Sequence, residues 1–222
     1  MPEPTVTPTD PDTRCATGDA AAEPTRDRIL RIAAEAWHAN SYDGVGTAEI
    51  CRRADVHKGS FFHFFASKQA LLLAVLEHYA VALGEQLRAG PFAADAAPLQ
   101  RFARFFEGLG ATVQREVREH GCMKGCPIGN LVLELATRDS RVRQAAGRVF
   151  DEVRGVFEQA LHDAVAAGEL PAHDVPAAAA AVLVWMQGLA VFGKTYGASP
   201  QLHALGGQSL AIIRASAAAS AT

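Results

Sequence analysis

Apolar residues recur along this chain every three to four positions, the period of helices with one buried face, and neither strand-like alternation nor an internal repeat is evident. Ile29, Ile32, Ala33 and Ala36 predict a helix over 25–40. Leu72, Val75, Leu76, Tyr79 and Leu83 predict a long one over 68–89, ended by Gly90-Pro91. Pro98 opens the next, with Leu99, Phe102, Phe106, Leu109, Val113 and Val117 inward, and Gly121 closes it. A short helix over 128–137 and a long one over 140–167 follow, the latter stopped by Gly168. Beyond a loop holding Pro171, the segment 175–196 is apolar nearly all round and needs cover on both sides. A last amphipathic helix over 200–217 carries Leu202, Leu205, Leu210 and Ile213. The fold class expected is all-α.

The run from Gly46 to Lys68 packs two short helices and a tight turn into one unit. Thr47 is the expected N-cap of the first and a candidate DNA contact, with Ile50 and Ala54 inward. Asp55 occupies the turn, where the left-handed region suits Asp better than most residues, and Val56 plugs the corner. The second helix starts near His57 or Lys58 and presents Lys58, Gly59, Ser60 and His63 outward, while Phe61, Phe64 or Phe65 packs back. This is the pattern of a helix-turn-helix with its recognition helix second. Lys58 would meet a phosphate, Ser60 a base edge or phosphate, and Gly59 would allow close backbone approach. Lys68, after a Ser67 N-cap, would clamp a further phosphate.

Composition adjusts the picture in two ways. The net charge of −3 disfavours a nucleic-acid partner, but the charge is unevenly placed. Residues 1–24 hold one Arg against five acids (−4), 25–68 hold seven basic and five acidic residues (+2), and the remainder holds 13 against 14 (−1). The first segment, rich in Pro, Thr, Asp and Ala, is expected to be a disordered arm and has no apolar run resembling a signal peptide. The longest apolar stretch, 177–193, is rich in Ala and Gly, so a buried helix is expected rather than a membrane span, and the cytoplasm is the expected compartment.

The segment from about Thr25 to Tyr79 resembles the DNA-binding domain of TetR-type repressors. Thr47 through Ala54, Val56, Lys58-Gly59-Ser60, Phe65 and Lys68 match the family pattern by position. Two departures count: Asp55 stands where Gly is common, and Phe62 where a tyrosine usually touches a phosphate, leaving Phe62 a packing or sugar contact. The resemblance implies an arm at 1–24, a helix-turn-helix domain at 25–68 and a sensing and dimerisation domain at 69–222. It also implies double-stranded palindromic DNA and a small-molecule inducer as partners, with no cofactor. Release would follow a pivot of the helix after Lys68. The last two helices would make a four-helix bundle with those of a second subunit.

The stretch from His120 to Asn130 is Gly-rich and holds Cys122 and Cys126. Metal binding, redox chemistry and plain packing compete there. Cys126-Pro-Ile-Gly-Asn, preceded by Gly125, resembles a segment of TetR regulators that answer electrophiles, oxidants or acrylate-like acids. Cys126 is expected at a helix N-terminus, with Lys124 and Lys194 as cations that could favour a reactive thiolate. Lys194 could equally be a pocket cation. A metal at His120, Cys122 and Cys126 would want a fourth ligand from elsewhere. Cys51 is expected in the core, and Cys15 lies in the arm. Phe102, Phe105, Phe106, Met123 and Trp185 are the expected lining of an apolar pocket. The competing classes are a helical ligand or metal carrier and an enzyme pairing Cys126 with His120, the latter lacking an evident orienting group.

Overall fold

The computed structural model describes residues 23–172, 174–199, 202 and 208–219; the rest of the acidic arm, with Cys15, and Leu205 lie outside them. Among the described residues the regular structure is helical throughout. The helices are α1 (Thr25–Ala39), α2 (Thr47–Arg53), α3 (Lys58–Phe64), α4 (Lys68–Ala89) and α5 (Pro98–His120). They continue with α6 (Pro127–Leu135), α7 (Ser140–Ala166), α8 (Val175–Tyr196) and α9 (Ser209–Ala219).

Local chemistry explains most ends. Ser67 Oγ accepts from Ala70 N–H at 3.0 Å, and Asp139 and Asp174 cap α7 and α8 in the same way. Pro sits in the first turn of α5, α6 and α8, and Gly121 (φ 75°) and Gly168 (φ 73°) carry the chain out of α5 and α7. Thr47 is not a cap. Gly46 holds the extended N-cap position and Thr47 is the first helical residue, with no side-chain bond closing the turn. The last helix is described from Ser209, so its expected beginning near residue 200 lies largely outside the described residues.

Two cores share the molecule. The first gathers Ile29, Leu30, Trp37, Ile50, Phe61, Leu72 and Leu76 from α1 to α4, and extends to Ile128, Leu131, Val142 and Val149 of α6 and α7. The second joins Phe92, Phe102, Phe106, Val153, Phe157, Leu161, Val182 and Ile213. The helix-turn-helix is therefore not packed only on itself: α6 and the first half of α7 complete its core. At a rise of about 1.5 Å per residue, α7 runs on the order of 40 Å and threads both cores. α4 and α8 are each 22 residues, long and apolar enough by length and composition to cross a membrane. Here α4 lies along α7, and α8 packs on α7 and α9, leaving Val184 and Val191 at 71% and 57% exposure.

Candidate DNA interface and sensor region

The turn between α2 and α3 is built on Asp55, the one non-glycine residue with positive φ (49°) among those described. Val56 N–H donates to the Cys51 carbonyl at 3.0 Å and seals it. Ile50, Cys51, Ala54, Phe61 and Phe65 are buried beneath, and burial pushes the Cys51 thiol's pKa up. Phe64, at 38% exposure, instead lies edge-on to His63 with ring centroids 5.0 Å apart. On α3 and its N-cap, His57, Lys58, Gly59, Phe62 and His63 are exposed and Ser60 is half-buried. Lys58 Nζ lies 5.9 Å from the Phe62 ring centroid, and a Cβ on Gly59 would meet nothing within 4 Å. The face is thus open and carries a cation stacked on an aromatic. On α2, Arg52 and Arg53 both donate to Glu49 at 2.7–2.8 Å, bonds that hold its carboxyl down at about 2. Those two arginines share the one carboxylate, whereas among the described residues no carboxylate engages Lys58.

Lys68 is differently placed. Its ammonium turns inward, donating to the Tyr42 carbonyl and lying 4.1 Å from the Tyr42 ring centroid. Burial lowers its pKa, partly offset by Asp43 and Glu134. The same loop is held from α6: Glu134 accepts from the Tyr42 and Asp43 amides, both at 2.9 Å. Gln69, at the start of α4, bonds both Asp139 and Arg141 at the start of α7.

Cys126 is the N-cap of α6, and its Sγ accepts from Gly129 N–H at 3.3 Å and from Gln187 Nε2 of α8 at 3.5 Å. The carbonyl of Gly125 accepts from His38 Nε2 of α1 at 2.8 Å. Lys194 donates to Asn130 Oδ1 at 3.1 Å, and Asn130 donates to the Lys124 carbonyl at 2.9 Å, so the expected cation stabilises the loop rather than sitting on the sulfur. Cys122 is exposed. The metal alternative fails on placement: His120 ends α5, Gly121 swings the chain away, and among the described residues no three His, Cys, Asp or Glu side chains form a group that could hold an ion.

The expected pocket is only half assembled. Phe106 and Met123 line a cavity of about 490 Å³ between α5, α8 and α9. Phe102 and Phe105 instead join Phe92 and Phe157 in an aromatic cluster with centroids 5.1–5.7 Å apart, because Phe102, one turn before Phe106, faces α7. Trp185 packs on the second core away from that cavity, its buried indole N–H without a hydrogen-bond partner among the described residues.

Residues 29–75 match the family model of bacterial regulatory proteins of the tetR family, and residues 98–205 match that of the tetracyclin repressor-like C-terminal domain. The chain is 32% identical over 161 residues to the transcriptional regulator AcuR of Cereibacter sphaeroides, covering 72% of each chain. The chain belongs to the TetR family. A second relative, the transcriptional repressor NemR of Escherichia coli strain K12, is 25% identical over 139 residues, covering 63% of this chain and 68% of the relative. Among solved structures, reduced E. coli NemR superposes with a TM-score of 0.73 at 21% identity, covering 86% of this chain and 95% of that one. A TetR regulatory protein from Rhodobacter sphaeroides gives 0.71 at 28% identity, covering 85% and 98%. This TetR-family protein is a DNA-binding transcriptional regulator and not an enzyme.

Sequence reasoning missed His38, Glu134 and Gln187 as site residues of this regulator. Gln187 carried a signal, as the one amide in the apolar stretch 177–193; His38 and Glu134 look like ordinary helix-surface residues, and their partners lie 87 and 91–92 residues away.

Proposed function

We propose that this repressor binds a palindromic operator as a homodimer in the cytoplasm and is released when Cys126 is modified by an electrophile or oxidant. Dimerisation rests on α8, whose Val184, Val191 and Tyr196 leave an apolar face uncovered within one protomer. Two copies joined there as a four-helix bundle with α9 present two α3 helices to successive major grooves, about 34 Å apart. His57, Lys58, Gly59, Ser60, Phe62 and His63 meet the DNA.

The observation that carries the thiol reading is that Cys126 Sγ caps a nine-residue helix tied at both ends to the DNA-binding unit, by His38 at Gly125 and by Glu134 at Tyr42 and Asp43. Addition of the thiol across an activated carbon–carbon double bond forms an S–C bond and delivers the thiol proton to the adjacent carbon. The bulky adduct cannot keep both the Gly129 and Gln187 bonds, so α6 moves and carries the α1–α2 loop with it. The test is operator binding by the full-length protein before and after N-ethylmaleimide, with Cys126→Ser and Cys122→Ser controls. Loss of binding that survives Cys122→Ser and disappears in Cys126→Ser supports the reading; equal loss in all three proteins overturns it. A second reading, reversible ligand binding without thiol chemistry, is favoured by the cavity beside Phe106 and Met123.

A further inference from the structure

We infer that the corner where α6 gives way to α7 is a second phosphate-binding surface, at which Arg141 meets the DNA backbone along the edge of the groove that α3 enters. The inference rests on the reading of α3 as the recognition helix, but Arg141 itself lies far outside the helix-turn-helix, in the first turn of α7.

The edge is open and lacks a cation of its own. Lys68 commits its ammonium to the Tyr42 carbonyl and ring, and no other Lys or Arg stands between residues 65 and 72. Ala66 and Ser67 are exposed. Three residues separate α3 from α4, at most about 10 Å of chain, and the major groove is about 12 Å wide. With α3 in the groove, the start of α4 is therefore level with the phosphates that border it.

Gln69, the second residue of α4, brings Arg141 to this edge. Arg141 Nη2 donates to Gln69 Oε1 at 2.7 Å, Arg141 Nε lies 3.7 Å from Asp139 Oδ1, and among the described residues Nη1 has no partner. The guanidinium is thus positioned but not used up: it carries five N–H donors in a planar fork that suits phosphate oxygens, and the side chain is 65% exposed. Asp139, the acid beside it, is already engaged, since it accepts from the Arg141 amide at 2.9 Å and from Gln69 Nε2. Arg138 adds to the positive field. Its Nη1 reaches Asp43 at 3.4 Å between two side chains that are both more than half exposed, a contact weakened by water that a phosphate can replace. Residues 138–148 hold four arginines against a single aspartate.

α4 and α7 leave this edge packed side by side, and Leu87 and Val153 carry them into the second core. Arg148, exposed on the same face of α7 two turns after Arg141, is set back by about 10 Å and serves as the internal control. The helix that Cys126 begins therefore ends beside a DNA contact, so that a displacement of α6 reaches the phosphates at its far end as well as through the α1–α2 loop.

The test uses the full-length protein and a duplex that it selects from a random pool. Affinity is measured between 50 and 200 mM salt for the wild type, Lys58→Ala, Arg141→Gln and Arg148→Gln. Arg141→Gln keeps an N–H for Gln69 and loses the charge, so its melting temperature is expected to stay unchanged. Its plot of log affinity against log salt is expected to flatten by about one per half-site, which is about threefold less loss of affinity over that range, while Arg148→Gln follows the wild type. Neutralising single phosphates as methylphosphonates then locates the contact. One position flanking the bases that α3 spans should weaken the wild type about tenfold and leave Arg141→Gln indifferent. An Arg141→Gln slope equal to that of Arg148→Gln overturns the proposal, and so does a lower affinity with unchanged slope, which would make Arg141 a structural tie to Gln69. If Lys58→Ala lowers the slope and Arg141→Gln does not, the corner alone is rejected. If neither does, or no duplex is selected, the reading of α3 fails and takes the corner with it.

Discussion

Single residues on α3 divide sharply into those that hold the fold and those that face outward. Phe61 is fully buried in the core that α1 to α4 share, so Phe61→Ala should cost about 3–5 kcal/mol and unfold the unit, measured by chemical denaturation. Lys58, exposed and with no carboxylate partner among the described residues, should behave oppositely. Lys58→Ala is expected to leave thermal stability unchanged while lowering operator affinity and reducing the slope of log affinity against log salt by about one. Lys68 supplies the contrast. Its ammonium holds the Tyr42 carbonyl and ring, so Lys68→Met should lower the melting temperature of the protein even without DNA. An unchanged melting temperature with a reduced salt slope would return Lys68 to the role of a phosphate clamp. The sequence placed both lysines at helix starts but gave no sign that one would point inward, because Tyr42 lies 26 residues away on a loop without periodicity.

At the scale of elements, legibility followed locality. The spans of α4 and α8 and the start of α5 were evident from Ser67, the apolar stripe and the Pro residues, since capping and helix breaking act within a few residues of the signal. The turn at Asp55 was evident for the same reason. What stayed hidden was the docking of α6, a nine-residue helix with Leu133 left exposed, whose role depends on polar groups far apart in sequence. Glu134 carries two backbone amides, and charge-assisted bonds of this kind are worth about 1.5–3 kcal/mol each. Glu134→Gln keeps the shape and weakens both. If α6 transmits the state of Cys126, this variant should still bind operator but lose much of its response to N-ethylmaleimide, read as the ratio of treated to untreated affinity. A full response in Glu134→Gln, with His38→Ala equally responsive, would mean the signal reaches the DNA by another path, along α4.

For the whole molecule, the decisive surface is the one a single protomer leaves open. Phe150 and α8 residues Leu183, Val184, Gln187, Val191 and Tyr196 form a shallow apolar groove that α7 and α9 leave uncovered. Gln187 belongs to this groove and also donates to Cys126 Sγ, so the proposed sensor sulfur and the proposed dimer face share one side chain. Placing a carboxylate at the middle of that face should be decisive, because a charge buried between two apolar surfaces costs several kcal/mol unless paired. Val184→Glu, at a position now 71% exposed, leaves the protomer core untouched. It is therefore expected to yield a folded monomer by analytical ultracentrifugation, and with it a loss of operator affinity of orders of magnitude, since each half-site then binds alone. On the proposed reading, modification of Cys126 would act on the same contact from inside, by displacing Gln187. The unmodified protein should then dimerise more tightly than the N-ethylmaleimide adduct, and Gln187→Leu, which gives up the bond to sulfur but keeps the groove apolar, should dimerise equally well in both states. A Val184→Glu protein that remains dimeric and binds operator normally would place the dimer contact elsewhere and detach the thiol from it.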